Sequence, residues 1–166
     1  MAEAAYRIVP IAEELVESFH DCVDEVARER KYLAMLQGFP LAESRKFVLE
    51  NIKSRTPAFV ALAESAVVGW CDIIVKPRDT LKHSGVLGMG VRQAWRGRGV
   101  GKRLIQAALA AARERGLTRV ELTVRADNTR AKRLYESVGF ETEGLLHKHI
   151  LVDGAYFDSY LMAVLV

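Results

Sequence analysis

The chain has 166 residues, half of them hydrophobic and 27% charged, with 12 glycines and 4 prolines. These values exclude a disordered, collagenous or coiled-coil chain and set the expectation of one domain over residues 1–166 with its own core. Lys and Arg number 24 against 21 Asp and Glu, a net +3, which does not suggest a general nucleic-acid binder but leaves room for one local basic site facing an acidic ligand.

Tyr6 to Val9 reads as a short strand closed by Pro10. A helix is expected from about Ala12 to Arg28, where Leu15, Val16, Phe19, Val23 and Val26 recur on one face. Glu29 to Pro40 is less regular. Leu41 to Ser54 again looks helical, with Phe47, Val48, Leu49 and Ile52 as its apolar side. Phe59–Ala63 and Val67–Val75 read as a hairpin, and Ser84–Val91 as a glycine-rich strand in which glycine marks a bulge or a close approach to the backbone. After a basic loop, Arg92 to Gly99, a helix runs from Val100 to Arg115, with Val100, Leu104, Ala108 and Ala111 on one face, and Gly116 stops it. Arg119–Val124 is a strand and Asn128–Val138 a helix. Leu145–Val152 and Ala155–Val164 are strands joined across Asp153-Gly154, a type I′ turn dipeptide. The order β-α-α-β-β-β-α-β-α-β-β predicts one α/β (α+β) domain, a mixed sheet of six or seven strands flanked by about four helices.

Cys22 and Cys71 fall in a helical and a strand context and read as buried thiols of a reducing compartment rather than a disulfide framework. The opening MAEAAYRIVP lacks a basic-then-apolar leader. The longest apolar run, Tyr160 to Val166, is far short of the ~18 residues a membrane span needs. The expectation is a cytoplasmic protein without membrane partners, and the apolar C-terminal strand makes a homodimer reasonable.

The densest chemical signal is Arg92-Gln-Ala-Trp-Arg-Gly-Arg-Gly-Val-Gly-Lys-Arg103. Five of its twelve residues are basic, none is acidic, and glycines stand at 97, 99 and 101, where a strand passes through a loop into a helix. Amides in the first turn of a helix have no internal partner, and the helix dipole favours an anion there. Glycine lets that backbone touch phosphate oxygens, and Arg96, Arg98, Lys102 and Arg103 add charge. The segment reads as a diphosphate cradle. It is not a P-loop, because position 96 is Arg and position 103 is Arg, and it lacks the GxGxxG spacing of a dinucleotide fingerprint. The bland alternative is a solvated basic loop. In the second segment, Asn128-Thr-Arg-Ala-Lys-Arg-Leu-Tyr135, two helical turns bring an amide and a phenol to nearly the same side. They could grip an extended ligand, or serve as an N-cap and a core residue.

Arg96-x-x-Gly99-x-Gly101 resembles the (Q/R)-x-x-G-x-(G/A) signature of the GNAT family of N-acetyltransferases. Asn128 with Tyr135, followed by Gly139-Phe140, resembles that family's second motif. The likeness spans the whole element order and is close from about Leu87 to Met162. Glu121 to Asn128 and Asp153-Gly-x-Tyr-x-Asp158 look like the bacterial branch that acetylates free amino acids or small amines. The resemblance implies acetyl-CoA as donor. By position, backbone N–H groups of Arg96, Gly97, Arg98, Gly99, Val100 and Gly101 hold its pyrophosphate, beside Lys102. The strand edge at Met89, Gly90 and Val91 pairs with the pantetheine amides, Asn128 contacts that arm, and Tyr135 is the general acid for the leaving thiolate. A phenol of pKa ~10 suits that work.

Many relatives place a carboxylate on the strand corresponding to Ser84–Val91, and here that strand has no ionisable side chain. His83, Asp72 and Glu25 are the candidates for a base, His83 first. An α-amine of pKa ~7.7–8.0 is partly neutral at pH 7 and a lysine amine of pKa ~10.4 scarcely so, so a site without a strong base favours an α-amine. His147 and His149, on one strand face, lack an evident third metal ligand, and no metal is expected. Tyr156 and Asp158 could line the acceptor pocket or a subunit contact. Tyr32, Met35 and Phe39 could wall the acceptor or simply pack. The leading expectation is direct acetyl transfer to a primary amine of a small molecule, a free amino acid or related amine. The alternatives are acetylation of a protein N-terminus and a non-catalytic acyl-CoA-binding sensor.

Overall fold

A computed structural model describes residues 5–166. Residues 1–4, part of the opening stretch tested for a leader, lie outside the described residues. Strands β1 (Arg7–Pro10), β2 (Ala58–Ala63), β3 (Ala66–Val75), β4 (Ser84–Val91), β5 (Arg119–Arg125), β6 (Glu141–Val152) and β7 (Ala155–Leu165) form one sheet in the order β1-β2-β3-β4-β5-β7-β6. Every neighbouring pair is antiparallel except β4 and β5. Helices α1 (Val16–Arg28) and α2 (Leu41–Lys53) lie on one face, α3 (Val100–Glu114) and α4 (Thr129–Glu136) on the other. β3 is therefore covered on both sides, and this explains why Val67 to Ile73 is an unbroken buried run rather than an alternating one.

The residues of β3 divide between two apolar cores, with the alternation interrupted between Val67 and Gly69 where the register slips against Ala61 and Leu62 of β2. Val67 and Trp70 pack with α1 and α2, whereas Cys71 and Ile73 pack with α3. On α3, Val100, Leu104, Ile105, Ala108, Leu109 and Ala112 turn inward. The face expected at Ala111 is thus one residue further on, at Ala112. Gly116 closes the helix with φ +85, while Leu117 N–H donates to Ala112 O and Gly116 N–H to Arg113 O, a Schellman ending.

Several expectations shift. The helix anticipated from Ala12 opens as a 3-10 turn, Glu13–Leu15, and becomes α-helical at Val16. On α2 the buried residues are Ser44, Val48 and Asn51, while Leu49 and Ile52 are left about two-fifths exposed. Ser44 can turn inward because its Oγ meets His20 Nδ1 of α1 at 3.1 Å. His147 and His149 do not share a regular strand face. Between Leu146 and Ile150 the register of β6 slips against β7, Lys148 has φ +50, and the Asp158 carboxylate accepts from Lys148 N–H at 2.8 Å and meets His147 Nδ1 at 3.2 Å. Asp158 thereby braces a bulge. The C-terminal strand β7 lies between β5 and β6; within the apolar run that suggested a dimer, Met162 and Ala163 are buried in the chain's own core while Leu165 is 77% exposed. Among the described residues no helix is long and apolar enough to cross a membrane.

β4 and β5 pair in parallel only from Ser84–Val86 to Arg119–Glu121. Beyond that the two strands part, and β4 from Leu87 to Val91 has a partner on its β3 side alone. The site opens in this gap.

Candidate active site

Two cavities meet at Met89, which lines both. The first, of about 390 Å³, runs from the start of α3 down the gap to α4. Its walls contain Met89, Gly90, Val91, Arg96, Gly97, Gly99, Val100, Gly101, Lys102, Asn128 and Tyr135. Of the residues expected to hold a cofactor, only Arg98 stands aside. Its guanidinium packs 5.1 Å from the Trp95 ring centroid, and its carbonyl accepts from Tyr6 Oη.

Backbone conformation builds this cavity. Gly97 and Gly99 have φ +78 and +77, left-handed values that turn the chain into α3. The first helical bond is Arg103 N–H to Gly99 O, so the amides of Val100, Gly101 and Lys102 have no intrahelical acceptor. Gly101 answers a packing need. A Cβ there would lie 2.9 Å from Leu134 Cδ2 and 3.3 Å from Met89 Cε, so its absence lets α3 approach α4 and β4. Gly85 and Gly90 of β4 likewise make room for Ile73 and Trp70, with a Cβ falling 2.5 and 2.2 Å from those side chains. The close approach read from the strand's glycines is made by side chains of β3.

The charge reading needs revision. The Arg96 guanidinium is held bidentately by Glu29 at 2.5 and 2.9 Å, its Nε donates to Val91 O at 2.8 Å, and Tyr32 lies beneath it. Its charge is matched within the fold, and it acts as a brace between β4 and the segment after α1. Arg92 pairs with Glu25 at 2.6 Å, and Arg103 lies over the Tyr6 ring. Lys102 and Arg130 are the cations that line the cavity besides Arg96.

Asn128 serves both readings offered for it. Its Oδ1 accepts from Ala131 N–H at 3.2 Å as the N-cap of α4, and the residue also lines the cavity. Tyr135 is held by the end of α4, where Phe140 N–H donates to Tyr135 O and the two rings meet edge-on at 5.8 Å. Burial raises the Tyr135 phenol above its ordinary pKa. Its hydroxyl bonds to none of the described residues, yet no buried side-chain oxygen among them is sealed off without a partner. The hydroxyl therefore opens into the cavity that Tyr135 lines.

The second cavity, of about 460 Å³, lies on the α1–α2 side of the sheet and is walled by Phe19, Met35, Phe39, Phe47 and Trp70, with Asp72 and Gly88 beside Met89. Asp72 is 8% exposed. Its cross-strand neighbours are Ala58 and Gly88, too small to cover or pair it, and a Cβ at Gly88 would stand 3.5 Å from Asp72 Oδ1. No hydrogen bond or ion pair among the described residues reaches the carboxylate, so burial alone pushes its pKa up to about 7.

The other base candidates lie elsewhere. His83 is exposed and precedes β4 at the end opposite Met89. They stand six positions apart along an extended strand, roughly 20 Å. The structure does not bring it to either cavity. Glu25 is engaged by Arg92. Burial pushes the Cys22 thiol up to about 12 and Cys71 well above the ordinary thiol range, so neither is a thiolate nucleophile at neutral pH. Of the three candidates for an acceptor wall, Met35 and Phe39 wall the second cavity, and Tyr32 lines the first beneath Arg96. Tyr156 is exposed beside Lys148.

Known proteins share this architecture. The model of the acetyltransferase (GNAT) family matches residues 13–140. An L-amino acid N-acetyltransferase of Escherichia coli is 36% identical over 105 residues, 63% of this chain and 65% of that protein. An N-alpha-acetyltransferase of Sulfurisphaera tokodaii is 32% identical over 151 residues, 85% of this chain and 86% of that one. Across the first three curated relatives it matches, the chain spans between 58% and 65% of their length. A phosphinothricin acetyltransferase from Sinorhizobium meliloti, solved in complex with acetyl-CoA, superposes with a TM-score of 0.91 over 97% of this chain and 88% of its own at 18% identity. With a family model covering most of its length, and its glycine motif standing at the start of α3 as expected, the chain belongs to the acetyltransferase (GNAT) family.

Proposed function

We propose that residues 1–166 form one N-acetyltransferase domain that moves an acetyl group from acetyl-CoA directly to a primary amine of a small molecule, a free amino acid or related amine. The observation that carries this reading is the pair of cavities meeting at Met89, with an unpaired carboxylate in one and an unpaired phenol in the other. The first cavity fits a coenzyme A thioester. Free α3 amides beside Lys102 and Arg130 suit a pyrophosphate, and the unpartnered edge of β4 suits an amide-bearing arm. When bound, acetyl-CoA supplies an activated acetyl group on sulfur.

The protein's part is to move two protons. Asp72, ionised in the acceptor cavity, takes the proton that an entering ammonium must lose before its nitrogen can attack. As the new C–N bond forms and the C–S bond breaks, the Tyr135 hydroxyl donates to the departing sulfur, and the proton that the acylated nitrogen must still shed restores the phenol. A phenol held above its usual pKa keeps its proton at every working pH and so remains a donor. The buried thiols leave no competing acyl-enzyme route and suit the reducing cytoplasm in which we place the protein.

Thiol release from acetyl-CoA, measured with a panel of amino acids and amines, tests the reading. Tyr135→Phe is expected to lower kcat about ten- to a hundredfold, with acetyl-CoA binding unchanged by calorimetry. Tight coenzyme A binding without turnover of any amine would leave a sensor instead. A second reading, acetylation of a polypeptide N-terminus, is favoured by the N-alpha-acetyltransferase likeness over 85% of the chain.

A further inference from the structure

The acceptor cavity holds a pattern of charge that selects among amines. Its deep end is formed by Trp70, Phe19, Gly88 and Met89 around Asp72, the carboxylate that is more than nine-tenths buried and has no partner among the described residues. The other charged residues on its walls are Glu43, Lys46 and Glu50, all on α2 and all exposed. Three carboxylates thus face one ammonium, and that ammonium stands at the solvent end.

A free amino acid carries its carboxylate on the same carbon as the reacting nitrogen. Seating that nitrogen against Asp72 forces a second anion into an apolar corner that no Lys or Arg lines. Like charges so placed repel strongly, and a desolvated carboxylate without a donor is costly. An amine without that group brings a single positive charge to Asp72 and an apolar body to Met35, Phe19, Phe47 and Phe39, and the ring faces of the three phenylalanines also favour a cation in passage.

We infer that the acceptor is a primary amine with an apolar body and no ionised carboxylate on the carbon bearing the nitrogen. This narrows the free amino acid or related amine proposed above to the related amine, and it rests on reading the cavity as the acceptor side of acetyl transfer. The test compares phenethylamine, phenylalaninamide and phenylalanine in thiol release from acetyl-CoA, each at equal concentration of neutral amine. The expected kcat/KM is at least tenfold higher for the first two. Phenylalanine turned over as well as or better than the others overturns the inference while sparing the acetyl-transfer reading. Loss of that turnover in Lys46→Ala would identify Lys46 as the carboxylate's anchor. No turnover of any amine by protein that binds coenzyme A overturns the acetyl-transfer reading, and the inference falls with it. Calorimetry on the coenzyme-loaded protein adds a readout independent of turnover. In Asp72→Asn the binding preference for phenethylamine over phenylalanine should shrink at least tenfold, and an unchanged preference also overturns the inference.

Discussion

The two cavities that meet at Met89 are built by opposite means. On the α3 side the chain offers main-chain amides, glycines and the cations Lys102 and Arg130. On the α1–α2 side it offers side chains from α1, the stretch after it, α2 and β3, four of them aromatic, together with carboxylates. A surface made of backbone changes little when side chains change, so it suits a ligand common to many relatives. A surface made of side chains can be altered one residue at a time, so in the proposed function it is the side that chooses the acceptor. The sign of charge reverses across Met89 as well, which suits an anionic donor entering from one side and a cationic acceptor from the other.

Removing the one buried charge on the acceptor side should break this contrast most completely. Asp72→Asn keeps the shape and removes the proton acceptor. We expect kcat to fall about a hundred- to a thousandfold. In the parent protein kcat/KM should rise with pH to an inflection near 7, where Asp72 ionises. In the variant only the ionisation of the acceptor amine should remain. Glu43, Lys46 and Glu50 of α2 share the cavity and His20 of α1 is held to Ser44, but the substitution leaves them all in place. Stability should move the other way. The folded-state pKa is raised from 3.8 to about 7, so between those values the folded chain keeps a proton that the unfolded chain has released. Stability therefore falls as pH rises through that window, by about 4 kcal/mol for a shift of this size. Asn escapes that loss. Denaturant unfolding should find the variant more stable at pH 8 and nearly equal to the parent at pH 4.

The donor side should yield to a backbone change. Gly99→Ala places a side chain at φ +77, 3.6 Å from Tyr6 Oη, at the residue that aims the first amides of α3. The left-handed conformation costs about 1–2 kcal/mol for a residue with a Cβ. Calorimetry should show coenzyme A bound about tenfold more weakly, while acceptor discrimination among the amines that still react stays the same. Equal binding by the variant would show that the turn at Gly99 does not aim the amides.

The same difference in construction governs how much could be read from the chain itself. Apart from Val26 and Tyr32, the donor side is assembled from two continuous stretches, Met89 to Lys102 and Asn128 to Tyr135, so strand, glycine loop and helix start stand next to one another in sequence. What misled there was charge. Nothing beside Arg96 indicates that Glu29, 67 positions earlier, will claim it. The acceptor side brings together Phe19, Met35, Phe47 and Asp72, which no local spacing connects. The base we propose there had one faint signal: Asp72 is the only ionisable residue in the run from Ala66 to Val75 other than Cys71. A lone carboxylate in a strand buried on both faces asks for a reason. That it stays unpaired depends on Ala58 and Gly88 flanking it, a matter of register that appears only when the strands are laid side by side.

The smallest expected effect comes from His83, the residue nearest in sequence to the strand that lacks a carboxylate. Nearness along the chain misleads here, because β4 is extended and its two ends are roughly 20 Å apart. The backbone carbonyl of His83 accepts from Thr118 N–H and Arg119 N–H where β4 and β5 are still joined, and the imidazole is exposed. His83→Ala keeps that carbonyl and should change kcat/KM less than twofold at every pH from 6 to about 9, with the inflection near 7 intact. If the inflection instead disappeared in His83→Ala and persisted in Asp72→Asn, the base would act from the joined end of the strands, and the parting of β4 from β5 could no longer be what places the chemistry.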